Sequence, residues 1–169
     1  MKRLHVHISV DDLARSIDFY STLFGAGPGL VKHDYAKWLV EDPRVNFTIS
    51  KRDRAGGLDH LGIQVEDAAA LAEISQRMSA AGATPVEQKN IACCYARSDK
   101  AWVNDPQGIA WETFLSHGEA AEPSACGEDG DCGGLPAGAS PEPAGGCCAT
   151  TSCGAPAGTP AEPAGACCA

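Results

Sequence analysis

Leu4, Val6, Ile8 and Val10 alternate with His5, His7 and Ser9. A period of two marks a strand with one apolar face, and both histidines fall on the opposite face. The period then lengthens. Leu13, Ile17, Tyr20 and Phe24 recur at three- and four-residue spacing, which lays an apolar stripe along a helix. Asp11 or Asp12 is placed to cap its start and Gly25 to end it. After a Gly-Ala-Gly-Pro-Gly turn, short strands are predicted at Leu30–His33, Tyr35–Val40 and Arg44–Ser50, the last two separated by Glu41-Asp42-Pro43. Lys51–Leu58 is polar and glycine-rich and reads as a linker.

The pattern then restarts. His-Leu-Gly-Ile-Gln-Val-Glu-Asp from His60 echoes His-Val-His-Ile-Ser-Val-Asp-Asp from His5, and the histidine precedes an aspartate by the same interval in both, His5 to Asp12 and His60 to Asp67. A second helix follows with Leu71, Ile74 and Met78 on one face, closing at Gly82. Further strands are predicted near Val86, near Ile91–Arg97, at Ala101–Asn104 and at Ile109–Leu115, the last preceded by a second Asp-Pro pair, Asp105-Pro106. The order β-α-β-β-β therefore occurs twice, and agreement at both ends of a unit argues for an internal repeat.

From about residue 117 the composition changes to Gly, Ala, Pro, Ser, Thr, Glu and Cys. Such a segment buries too little apolar surface to offset chain entropy and is expected to be disordered. Charge divides at the same place. The 13 basic residues all lie between Lys2 and Lys100, nearly balanced by 15 acidic ones up to Phe114, whereas 7 acidic and no basic residues follow. No basic cluster of the kind that binds nucleic acid exists. No apolar run suits a signal peptide or a membrane span, so a cytoplasmic location is expected, where thiols stay reduced. Of the 9 cysteines, only Cys93 and Cys94 lie in the repeat region; Cys126, Cys132, Cys147, Cys148, Cys153, Cys167 and Cys168 lie in the tail. In a reducing compartment they read as ligands for soft ions more readily than as a disulfide framework.

Strand parity identifies candidate chemistry. His5 lies opposite one aliphatic face, His60 opposite the next, and Glu112 shares a face with Ala110 and Phe114 in the last strand. If the two units pair about a pseudo-twofold axis, these three side chains converge in one cleft. Aligning the Asp-Pro turns, with one extra residue at Gly108, sets Thr48 opposite Glu112. Three of four equivalent positions are then ligands, which leaves metal positions open for substrate, water or dioxygen. Two histidines and one carboxylate form the facial triad of non-haem Fe(II) oxygenases, and the same set also suits Mn(II), Zn(II) or Ni(II). His7 shares the face of His5 and is read as a neighbour of the site that assists or replaces His5. Trp38, Trp102 and Trp111 read as packing residues; Tyr95, Arg97 and Lys100 read either as pocket-lining residues or, more simply, as strand or surface residues.

The duplicated βαβββ unit with these three residues resembles the vicinal-oxygen-chelate superfamily, which includes glyoxalase I, fosfomycin-resistance thiol transferases and extradiol dioxygenases. The stretch Ala-Cys-Cys-Tyr-Ala-Arg-Ser-Asp-Lys-Ala-Trp-Val, with Met-Lys-Arg-Leu-His-Val-His and Gly-Leu-Asp-His-Leu-Gly-Ile-Gln-Val, is similar more narrowly to carbon–arsenic lyases and cadmium-induced proteins. The resemblance covers about Met1–Leu115. It implies an α+β fold in which two βαβββ modules, about 1–54 and 58–116, form a curved mixed sheet, a half-barrel, around a metal cleft. Residues 117–169 are then the tail. It implies Fe(II)- and O2-dependent cleavage of the carbon–arsenic bond of trivalent organoarsenicals such as methylarsenite, with arsenite released. His5, His60 and Glu112 would hold Fe(II), with no further catalytic residue, and Cys93 and Cys94 would hold arsenic. Two rival readings stand beside it: a glyoxalase- or fosfomycin-resistance-type metalloenzyme on the same fold, and a cadmium- or arsenic-sequestering protein whose tail binds soft-metal ions. A homodimer is compatible with the sequence, which does not decide it. Neighbouring side chains on a regular strand point to opposite faces, so Cys93 and Cys94 are expected on a loop or bulge near the cleft mouth.

Overall fold

The computed structural model describes residues 1–52, 54–93 and 95–119. Ten elements run in the order β1 (Arg3–Ser9), α1 (Leu13–Phe24), β2 (Leu30–Val31), β3 (Tyr35–Glu41), β4 (Arg44–Ser50), β5 (Gly57–Val65), α2 (Ala68–Ala80), β6 (Val86–Cys93), β7 (Ala96–Asn104) and β8 (Ala110–Glu119). This is βαβββ twice, as the periodicities predict. The equivalent aspartates do equivalent work. Asp12 caps α1 by accepting from Arg15 N at 3.0 Å, and Asp67 caps α2 by accepting from Ala70 N at 2.7 Å. Gly25 ends α1 with φ 66°, a left-handed conformation open to glycine at no steric cost.

The strands form one curved, unclosed mixed sheet in the order β2-β3-β4-β1-β5-β8-β7-β6. β1 pairs with β5 antiparallel at its centre; β1–β4 and β5–β8 are the parallel pairs. The register is itself two-fold: His5 faces Gly62 and His7 faces His60, so exchanging the two modules maps one pair onto the other. His7 pairs with Thr48 as Gly62 pairs with Glu112, so Thr48 and Glu112 are equivalent positions, the alignment the Asp-Pro turns imply.

Each strand presents apolar residues to a helix and polar ones to the other side. Under α1, Ala36, Trp38, Phe47 and Ile49 are buried, with Val6, Ile8, Leu13, Ile17, Tyr20 and Phe24 packed against them. The opposite face is also buried but polar, carrying His5, His7, Asn46, Thr48, Ser50, His60, Ser98, Lys100 and Glu112. Buried polar residues on this scale need a reason, and the cleft they line supplies it.

Three expectations change. Ile91–Arg97 is not one strand: β6 ends at Cys93, β7 begins at Ala96, which pairs with Cys93, and Tyr95 between them has φ 63°. β7 then runs through residues 98–100 without a break, and β5 starts at Gly57, inside the expected linker. The expected tail disorder and its seven cysteines lie beyond residue 119, outside the described residues, although β8 continues to Glu119. Among the described residues no helix is long and apolar enough to cross a membrane.

Candidate metal centre

Three lone-pair donors meet at the sheet centre. His5 Nε2 lies 3.2 Å from His60 Nε2, and Glu112 Oε2 lies 3.7 Å from the first and 3.5 Å from the second. Each imidazole is oriented from behind. His5 Nδ1 donates to Asn46 O at 2.9 Å, and His60 Nδ1 donates to the Asp59 carboxylate at 2.6 Å. These bonds put the protons on Nδ1 and turn both Nε2 lone pairs inward, the arrangement by which outer carboxylates and carbonyls set metal-ligating histidines. Donors that share one ion at bond lengths of about 2.1 Å stand roughly 3.0–3.6 Å apart. The donor set and its spacing therefore fit a divalent metal ion. Two nitrogens and one oxygen suit Fe(II), Mn(II), Zn(II) or Ni(II) alike.

A third imidazole stands beside them. His5, His7 and His60 each offer a nitrogen, all within 4.8 Å of one another, so these three could also hold an ion. His7 Nε2, however, is 2.8 Å from Ser50 Oγ and is occupied by that hydrogen bond.

Burial alone would raise the Glu112 carboxyl, but the Lys100 ammonium, 2.5 Å from Oε1, and the His60 contact outweigh it and hold Glu112 well below the usual carboxylate range. Burial opposes charge on His60 too, yet hydrogen bonds to Asp59 and Glu112 push it up to about 9. His5 is pushed down to about 4, chiefly by burial, and burial likewise holds His7 well below its ordinary value. Asp59 stays ionised against its burial because His60 donates to it. In the metal-free protein at neutral pH His60 carries a proton, which a metal ion at Nε2 has to displace.

The surrounding cleft has a volume of about 230 Å³, several times the roughly 30 Å³ share of one water, so a small ligand fits beside an ion. Trp102 stands edge-on to His60 at 5.1 Å and Phe114 to His5 at 5.2 Å. Trp102 is thus a wall of the site and not only a packing residue; Trp38 is core, and Trp111 lies on the other face of β8.

One site residue, Asp59, escapes sequence reasoning, and for another, Lys100, the sequence leaves two readings open. Strand alternation puts Asp59 on the helix side, opposite His60. A β-bulge in the β1–β5 pairing, where His7 faces His60 and Ile8 faces Leu58, leaves Asp59 as the extra residue and re-aims it. The Asp-His dipeptide was its only signal. Lys100, for which both a pocket-lining and a strand or surface position are open, is buried in the cleft. Its shared parity with Trp102 was legible, but not that Trp102 would lie opposite Glu112.

Cys93 ends β6 at the edge of the sheet, its backbone opposite cleft-lining Ala96. Cys94 lies outside the described residues. Cys93 is thus on the last strand of the sheet and not on a central one. Tyr95, next in sequence, is buried, donates to Asp34 Oδ1 at 2.8 Å, and has Lys32 Nζ 5.2 Å from its ring centroid. It ties the β6–β7 turn to the β2–β3 turn. Arg97 is exposed and bonds Asn90.

Residues 2–113 match the Glyoxalase/Bleomycin resistance protein/Dioxygenase superfamily. The chain is 44% identical over 119 residues to the trivalent organoarsenical cleaving enzyme of Bacillus sp. (strain MD1), covering 69% of this chain and 74% of that protein. It is 39% identical over 140 residues to the protein of the same name from Thermomonospora curvata, covering 79% and 93%. It is 35% identical over 115 residues to the cadmium-induced protein CadI of Mycobacterium tuberculosis, covering 68% and 76%. In fold it is similar to an extradiol ring-cleaving dioxygenase from B. fuscum, at TM-score 0.52 and 18% identity, over 70% of this chain and 33% of that one. It is also similar to the Mn(II)-bound glyoxalase from Novosphingobium aromaticivorans, at TM-score 0.52 and 14% identity, over 74% and 43%.

Proposed function

The chain belongs to the glyoxalase/bleomycin resistance protein/dioxygenase superfamily, and on that premise we propose that it cleaves the carbon–arsenic bond of trivalent organoarsenicals such as methylarsenite, releasing arsenite with Fe(II) and dioxygen. The observation that carries this reading is the convergence of His5 Nε2, His60 Nε2 and Glu112 Oε2 at 3.2–3.7 Å in a chain whose relatives are named trivalent organoarsenical cleaving enzymes. His5, His60 and Glu112 hold the metal, and Fe(II) bound there supplies the redox chemistry with dioxygen. His7 remains with Ser50 as a neighbour of the site.

The chain's own residues do the rest. Asn46 O and Asp59 fix the two imidazoles. Trp102 and Phe114 pack edge-on against the two imidazoles and form an apolar wall beside the metal position. Cys93 and Cys94, at the turn between β6 and β7, hold trivalent arsenic as thiolates, since arsenic(III) is a soft, thiophilic centre. Positioning the substrate against the metal in this way contributes several kcal/mol on the order of intramolecular effects generally. Reduced thiols of this kind suit the cytoplasm.

The test incubates Fe(II)-loaded protein with methylarsenite, with and without oxygen, and assays inorganic arsenite. Arsenite is expected only with both iron and oxygen. Product without oxygen favours metal Lewis-acid chemistry of the glyoxalase type; binding without product favours sequestration. Cys93→Ser and Cys94→Ser should each lose methylarsenite binding while retaining iron, and normal binding by both variants sinks the thiol clamp.

A further inference from the structure

The two oxygens of Glu112 have different surroundings. Oε2 faces the histidines, 3.7 Å from His5 Nε2 and 3.5 Å from His60 Nε2. Oε1 is 2.5 Å from Lys100 Nζ. Both side chains are almost fully shielded, at 8% exposure for Lys100 and 4% for Glu112. Lysine is rarely buried to this extent unless paired. The register explains how the contact arises. Glu112 lies opposite Trp102 in the antiparallel β7–β8 ladder, so Lys100, two residues earlier on the same face, is its diagonal neighbour. Its ammonium lies 5.8 Å from the centroid of the Trp102 ring. A lysine this close to a metal-facing carboxylate repels a divalent ion at the same site, so its presence calls for a compensating use.

We propose that Lys100 is a positioning residue that takes Oε1 of Glu112 out of the metal's reach, so that the carboxylate binds through Oε2 alone. The inference rests on the reading of His5, His60 and Glu112 as metal ligands. A carboxylate is able to give one oxygen or two to an ion. With one taken, three protein atoms occupy an octahedral ion and three positions stay open. With two taken, one open position is lost to the protein. Lys100 thereby trades metal affinity for open positions, which an enzyme that must admit both an organoarsenical and a second reactant needs.

The test measures Co(II) affinity, turnover and carboxylate geometry together in Lys100→Met, which keeps the length of the side chain and removes its charge and donors. Co(II) binding is expected to tighten about tenfold, because the competing ammonium is gone, while arsenite release by the iron-loaded protein falls about tenfold or more. Infrared difference spectra of Co(II) binding should show a wide splitting of the antisymmetric and symmetric carboxylate bands in the parent and a narrower one in the variant, as two-oxygen binding requires. Lys100→Gln, which keeps a neutral donor, covers the case in which the methionine variant fails to fold; it should tighten Co(II) binding without narrowing the splitting. Lys100→Arg should restore parental affinity and splitting. A merely structural role weakens metal binding and turnover alike. Unchanged or weaker Co(II) binding with unchanged splitting in the folded neutral variants overturns the assignment. Failure of the parent protein to bind Co(II) at all overturns instead the metal-site reading beneath it.

Discussion

Gly62 shows how much one side chain can decide. A Cβ built there would stand 2.3 Å from the Glu112 carbonyl oxygen, closer than real atoms approach, and that obstacle is backbone. Gly62→Ala should therefore push β8 from β5 at the residue that faces the histidines. We expect a stability loss of about 1–3 kcal/mol, the usual cost of overpacking, in urea unfolding of the metal-free protein. Co(II) affinity should fall at least tenfold in titration. At the same position the first module has His7, whose facing residue is Thr48. The proton on His60 gives a second expectation. Metal requires a free Nε2, and His60 is held at about 9 whereas His5 is near 4. Lowering the pH below about 9 therefore sets proton against metal at His60 alone. Apparent Co(II) affinity should rise about tenfold per pH unit from pH 7 toward 9 and level off above it, with close to one proton released per ion at pH 7. Calorimetry in buffers of different ionisation enthalpy reads this directly, and a pH-independent affinity would show that no proton on His60 has to be displaced.

Elements, not residues, set where the β6–β7 turn lies. β6 is the last strand of the sheet and has a neighbour on one side only, and Tyr95 ties the β6–β7 turn to the body of the sheet. That side chain donates to Asp34 Oδ1 at 2.8 Å and sits 5.9 Å, ring to ring, from Tyr35. Its backbone is in the left-handed region at φ 63°, uncommon for a residue other than glycine, so tertiary contacts must stabilise it. Tyr95→Phe removes the hydroxyl and leaves the ring. Amide hydrogen exchange in residues 91–97 should speed up severalfold, as a lost hydrogen bond of about 1 kcal/mol implies, while exchange in β1 and β5 stays unchanged. Equal protection in the two proteins would show that the tie to the β2–β3 turn does not hold the hairpin. The same hairpin shows where periodicity runs short. Ile91–Arg97 reads as one strand because a short turn leaves no polar gap in the pattern, and a positive φ has no signature in tyrosine.

For the whole molecule, the centre draws His5 from one module and His60 and Glu112 from the other, and all three lie among residues 1–119. Removing residues 120–169 should leave Co(II) affinity within twofold of the full chain. If the tail thiols capture soft ions, the same deletion should lower the number of Cd(II) ions bound per chain; an unchanged Cd(II) stoichiometry would assign all capture to residues 1–119. The division between sequence and tertiary structure follows from range. Alternation, helical spacing and capping aspartates are local, so the sequence by itself determined two βαβββ units and the face on which His5, His60 and Glu112 lie. It also determined that Thr48 stands where Glu112 has its counterpart, because a repeat carries its own alignment. Only the tertiary structure decided what depends on distant strands. The bulge that turns Asp59 onto His60 exists in the β1–β5 pairing and in neither strand alone. Lys100 meets Glu112 because β7 and β8 pair in one register; a slip of one residue would send it to the opposite face. Local pattern thus specifies which side chains point inward, and long-range register specifies which of them touch.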